Sequence, residues 1–150
     1  MAKKKTGNQA GIKAEKELAK ELTAAGYKFT HGKKIPYPRP NGRGFHPDVV
    51  IYLPNGDVIV IELKSQNSDG TVEEKVLLDV LSLISLKKTG AYVRTYMVLK
   101  GPNRTPGVCE GWTYKVYYLS PDFERDFPHE PFVKVIDYDD FVTRLRNHQL

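Results

Sequence analysis

Two spacings of apolar residues organise this chain. Near the start, Ile12, Leu18, Ala19, Leu22 and Ala25 recur at helical spacing, predicting a helix from Gly11 to Ala25 that stops at Gly26. Glu15 lies three residues before Leu18 and seven before Leu22, so it shares the inward face, while Glu17 and Glu21 point elsewhere. The runs Val49–Leu53 and Val58–Ile61 are β-branched and apolar, and Pro54-Asn55-Gly56 between them predicts a hairpin. Asp69-Gly70 breaks the chain. Thr71 and Glu74 then form a capping box for a helix to Lys88, closed at Gly90, with Val76, Leu77, Val80, Leu81, Ile84 and Leu86 as its apolar face. Ala91–Leu99, Trp112–Leu119 and Phe132–Ile136 read as strands, and Asp137 caps a last helix to about Asn147. Residues 31–44, 100–107 and 120–131 read as loops. This order predicts an α/β fold, a three-layer α/β/α core around a central mixed β-sheet.

The hairpin carries the candidate chemistry. With a three-residue loop, Leu53 pairs with Asp57 and Asp48 falls opposite Glu62. Alternation then puts Asp48, Val50, Tyr52, Val58, Val60, Glu62 and Lys64 on one face, and Val49, Ile51, Ile59, Ile61 and Leu63 on the other. A one-residue slip would separate the carboxylates. Both faces are largely apolar, which predicts a central strand pair covered on both sides. Two adjacent carboxylates are costly unless a cation neutralises them, and hard oxygen ligands suit Mg²⁺, or Mn²⁺ in its place. Such a metal polarises a phosphate and helps to generate hydroxide from water. On the same face, Lys64 is placed to orient that water or to stabilise charge on the phosphate.

Pro47-Asp48 followed by Glu62-Leu63-Lys64 resembles the PD-(D/E)XK nuclease superfamily, which includes type II restriction endonucleases, Holliday junction resolvases and phage or repair nucleases. The resemblance implies a restriction endonuclease-like core. It also implies a metal held by Asp48, Glu62 and the carbonyl of Leu63, with Lys64 catalytic. A glutamate four residues after a glycine on the first helix serves the site in the resolvase-like branch, and Glu15 after Gly11 has that spacing. The stretch Gly70-Thr71-Val72-Glu73-Glu74-Lys75 is similar to one that follows the active-site strand in several restriction endonucleases, placing Lys75 near DNA. Gln66 continues the Glu62 and Lys64 face as a phosphate contact, or else ends the strand as an exposed amide.

Composition narrows the setting. The chain has 150 residues and 40% hydrophobic content, enough for one nuclease domain with a basic, flexible segment over residues 1–10. No membrane-length apolar run is present, and the single cysteine, Cys109, has no internal disulfide partner, so an intracellular, cytoplasmic setting is expected. Charge is uneven. Residues 1–45 hold 11 Lys and Arg against 3 Asp and Glu, although the whole chain is only +5. A basic segment beside a phosphate-cleaving motif points to DNA, expected to be double-stranded. Lys3, Lys4, Lys5, Lys33, Lys34, Arg39 and Arg43 are the phosphate-contact candidates, with Arg104 from the basic loop 100–107. The arginines of the loop before Asp48 are also placed to read guanine edges. The expected activity is a Mg²⁺-dependent endonuclease acting as a homodimer, a restriction enzyme first and a resolvase or repair nuclease second. A non-catalytic DNA-binding module on the same fold is the alternative from another class.

Overall fold

The structure is a computed structural model that describes residues 8–67, 72–92, 94–105 and 111–150. Lys3–Lys5, Asp69-Gly70, the Thr71 cap and Cys109 lie outside the described residues.

Among the described residues, seven strands and five helices follow in the order α1 (Asn8–Ala24), β1 (Lys28–His31), β2 (Ile35–Pro38), β3 (Gly44–Phe45), β4 (Val49–Tyr52), β5 (Val58–Ser65), α2 (Val76–Lys87), β6 (Arg94–Lys100), α3 (Lys115–Tyr118), α4 (Pro121–Asp126), β7 (Lys134–Asp137) and α5 (Tyr138–Arg146). The main sheet runs β1-β4-β5-β6-β7, and β2 and β3 form a separate two-stranded ribbon. β4 runs antiparallel to both of its neighbours, β1 and β5, whereas β5, β6 and β7 run parallel. The sheet is therefore mixed, as the element order predicts.

The hairpin register is the expected one. Val49 pairs with Ile61 and Tyr52 with Val58. The Leu53 amide donates to the Asp57 carbonyl at 2.9 Å, and the Gly56 amide donates to the Leu53 carbonyl at 3.0 Å. Val49, Ile51, Ile59, Ile61 and Leu63 pack with Ala14, Leu18 and Leu22 of α1 and with Phe141, Val142 and Leu145 of α5. Val50 and Val60 pack on the opposite face with Ile35 and Phe45 of the ribbon, Val76, Val80 and Leu83 of α2, and Phe123 of α4. Helices thus cover both faces of the sheet. Burying each of these aliphatic side chains contributes about 1.5–3 kcal/mol, which locks the alternation and hence which residues point at each layer.

Several expectations are corrected. Trp112–Leu119 is no strand: Lys115–Tyr118 is one helical turn, with Trp112, Lys115 and Tyr118 turned inward at three-residue spacing. The segment 120–131 contains α4, with Ser120 before its start and Pro121 at its first helical position. The loop expected over 31–44 contains β2 and leads into β3, and β1 adds an edge strand. Residues 72–75 form a 3₁₀ turn ahead of α2 rather than its first α-helical turn. On α1 the inward stripe is Ala14, Leu18 and Leu22, while Ile12 is half exposed. On α2, Leu77 and Leu81 face outward, and the buried face includes Asp79.

Candidate active site

Four elements bring the site together at one end of the β4–β5 hairpin. Asp48 stands just before β4, and continuing the Val49–Ile61 pairing by one residue sets it opposite Glu62, near the end of β5. Directly opposed residues have Cα atoms only about 4.5–5.5 Å apart. The Leu63 amide donates to Asp48 Oδ2 at 2.7 Å, which fixes that carboxylate against β5. Leu63 thus enters the site through its N–H. Glu62 is 2% exposed, and its Oε1 is buried with no hydrogen-bond partner. From α1, Glu15 comes close enough to Asp48 for the two carboxyls to interact.

A residue that sequence reasoning missed completes the set. Asp79 of α2 is 6% exposed, and its Oδ2 forms an ion pair with Lys64 Nζ at 2.9 Å. Arg39, between β2 and β3, lies 3.6 Å from the same carboxylate. Its guanidinium also donates to Ser82 Oγ at 3.4 Å and sits 4.5 Å over the Phe45 ring. The signal for Asp79 was present in the sequence: an acid at 79 interrupts the face formed by Val76, Val80 and Leu83. A lone buried carboxylate there would be costly, so its position demanded a partner.

The electrostatics follow from this crowding. Glu15, Asp48, Glu62 and Asp79 face Lys64 and Arg39, four acids against two fixed cations. Burial, then the hydrogen bond and charge of Asp48, lift Glu15 from 4.5 to about 7. Burial pushes Glu62 well above the usual carboxylate range, reinforced by the charges of Asp48 and Asp79. Burial alone would lower Lys64, but Asp79 and then Glu62 and Asp48 hold its ammonium above the ordinary value. With all four acids ionised the cluster would carry two uncompensated negative charges, and together with the orphaned Glu62 oxygen this fits a divalent cation. Among the described residues, no three His, Cys, Asp or Glu side chains converge tightly enough to bind one as they stand.

The other sequence-derived candidates are placed as follows. Lys33 and Lys34 are exposed and line a groove of about 370 Å³ with Thr30, Tyr52 and Tyr92, on the face that carries Asp48 and Glu62. Arg43 is exposed beside the turn where the Arg39 amide donates to the Arg43 carbonyl at 2.8 Å. Lys75 is exposed on the 3₁₀ turn, and exposed Arg104 donates its amide to the Trp112 carbonyl at 2.7 Å. Gln66 is not the exposed strand-end amide: it is 3% exposed, and its side chain donates to Glu73 at 3.3 Å and to the Gly111 carbonyl at 3.0 Å. No helix among the described residues is long and apolar enough to cross a membrane.

No family model and no curated protein matches the chain. Two solved structures are similar in part. One, a protein of unknown function named AF1548, aligns with a TM-score of 0.44 and 13% identity over 85% of this chain and 58% of its own. The other, the small subunit of the heterodimeric restriction endonuclease R.BspD6I, aligns with a TM-score of 0.47 and 15% identity over 91% of this chain and 70% of its own. The chain therefore spans little more than half the length of the first of these.

Proposed function

We propose that this chain is a divalent-metal-dependent endonuclease that hydrolyses DNA phosphodiester bonds. The observation that carries the reading is the β4–β5 register, whose Val49–Ile61 pair, continued by one residue, sets Asp48 opposite Glu62, with Lys64 on the same face and Glu15 interacting with Asp48. Asp48 and Glu62, with the Leu63 carbonyl, would hold Mg²⁺ or Mn²⁺, and Glu15 would complete or brace the ligand set. When bound, the metal supplies Lewis-acid polarisation of the phosphate and a more acidic water. Lys64 orients the attacking water and meets the negative charge that grows on the phosphate oxygens. Lys33, Lys34 and Arg43 supply exposed positive charge for the DNA backbone. A restriction-type enzyme acting as a homodimer on duplex DNA is the leading form, and a junction resolvase is the second.

Incubation with supercoiled plasmid and Mg²⁺ or Mn²⁺ tests this. Wild type is expected to nick and linearise it, while Asp48→Ala and Lys64→Ala each lose about 10²-fold or more. Equal nicking by all three would sink the catalytic assignment, and binding without cutting would favour a DNA-binding module. Discrete fragments from linear duplex indicate the restriction form, and preference for four-way junctions indicates the resolvase.

A further inference from the structure

Asp79 is an expensive residue in its position. Its neighbours on the buried face of α2, Val76, Val80 and Leu83, are fully buried, and an aliphatic side chain at 79 would continue that packing. A carboxylate is tolerated there because two cations meet it from different parts of the fold. Lys64 comes from β5 at 2.9 Å, and Arg39 comes from the ribbon at 3.6 Å. Ser82, one helical turn further along α2, takes a second contact from Arg39 at 3.4 Å. Phe45 supports the guanidinium from beneath, with 4.5 Å between them. The Arg39 side chain is therefore ordered by three partners and drawn inward, toward the end of β5 that carries Glu62 and Lys64.

An ammonium has three donors and a guanidinium five, so neither is exhausted by one carboxylate. Held side by side, a point charge and a planar fork match two oxygens of one phosphate. We propose that Asp79 is a positioning residue that clamps Lys64 and Arg39 into one phosphate-binding pair, so that Arg39 serves the backbone phosphate at the cleavage site and does not read a base edge. The assignment rests on the nuclease reading for its substrate, but the clamp is a property of the protein alone.

The two parts are tested separately. In the first, the ¹⁵N-ammonium resonance of Lys64 is recorded in the metal-free, DNA-free protein. Wild type is expected to show a slowly exchanging signal, Asp79→Asn to lose it, and Asp79→Glu to recover it in part. A Lys64 signal untouched by Asp79→Asn overturns the clamp. So does a wild-type signal as fast-exchanging as that of Lys13, whose side chain is 79% exposed. That comparison needs no variant, and so stands even if Asp79→Asn does not fold.

In the second, single-turnover cleavage of a duplex is measured in Mg²⁺. Asp79→Asn is expected to lower the rate about 10- to 100-fold with little change in DNA affinity, the usual scale for a residue that orients a catalytic group. On an Arg39→Ala, Lys64→Ala background the same change is expected to cost less than about 2-fold, because the clamp acts through those two side chains. Equal losses on both backgrounds indicate a merely structural Asp79 and overturn the proposal. A wild type that never cuts removes the nuclease reading, and the ammonium signal then decides the clamp by itself.

Discussion

Glu15 sits where three influences add: burial, a hydrogen bond to Asp48 and the negative charge of that neighbour, against a weaker pull from Lys64. The folded protein therefore holds a proton that the unfolded chain releases near 4.5. The resulting stabilisation is fully present below that pH and is lost as pH rises through about 7. Glu62 acts in the same direction. Glu17, Glu21, Glu124 and Asp126 act oppositely. Each is lowered, so each contributes above its ordinary value and is lost only as pH falls further. Melting temperature without metal is expected to fall between pH 5 and pH 8, and Glu15→Gln is expected to flatten that fall. Mg²⁺ should raise the melting temperature more at pH 8 than at pH 5, because protons and metal compete for the same oxygens. An unchanged pH slope in Glu15→Gln would remove Glu15 from the cluster. Asp48, Glu62, Lys64 and Glu15 were legible in the sequence because strand alternation and helical spacing place them without tertiary knowledge. Asp79 was not singled out, since its partners, Lys64 and Arg39, come from elements that only the folded chain brings beside α2.

Strands and helices differ in how much of their cause is local. The β4–β5 hairpin was readable because its turn chemistry and its apolar alternation agree. Trp112–Leu119 was misread because its aromatic and β-branched content favours a strand in isolation. In the fold, Glu73 takes the amides of Thr113 and Tyr114 at 2.7 and 2.6 Å, and Lys115 reaches the Gly101 carbonyl at 2.6 Å, so distant partners wind the segment into a turn. β1 escaped notice for a related reason. Lys28-Phe29-Thr30-His31 has weak alternation, and its strand character comes from pairing with β4 along the sheet edge. Two glycines separate local from tertiary demands at this scale. Gly56 has φ +91° with open space around its α-carbon, so Gly56→Ala meets only backbone strain and is expected to cost about 1 kcal/mol. At Gly101, φ is +121° and an added Cβ would lie 2.0 Å from the Gln66 carbonyl oxygen. Gly101→Ala must move the backbone at the end of β5 and is expected to cost about 3 kcal/mol or more. Denaturant midpoints of the two variants check the contrast, which equal shifts would contradict.

For the whole molecule, charge is arranged more tellingly than its total. The net +5 hides a strongly basic first third, within which Arg39 is engaged in the site while Lys33, Lys34 and Arg43 stay exposed. Each exposed cation that meets a backbone phosphate should reduce the dependence of log K on log salt by about one when removed. Fluorescence anisotropy with duplex DNA across a salt series checks this for Lys33→Ala and Arg43→Ala, and an unaltered slope excludes that residue from the contact surface. The same series for Arg104→Ala asks whether the segment after β6 also lies on the DNA face.

The β4–β5 hairpin also has a bearing on how the chain reaches this state. Its strands are neighbours in sequence, so it can close on a microsecond scale, whereas α1 and α2 must be recruited across longer stretches of chain. If the hairpin closes first, Asp48 and Glu62 come together before α1 and α2 bring Glu15 and Asp79 to them. Their mutual repulsion falls on the climb to the folding transition state. Mild acid or Mg²⁺ should consequently speed refolding, Gly56→Ala should slow it, and Asp79→Asn should chiefly hasten unfolding, as stopped-flow chevrons would register. On that order of events, the carboxylate pair would act as a kinetic throttle on the assembly of its own hairpin.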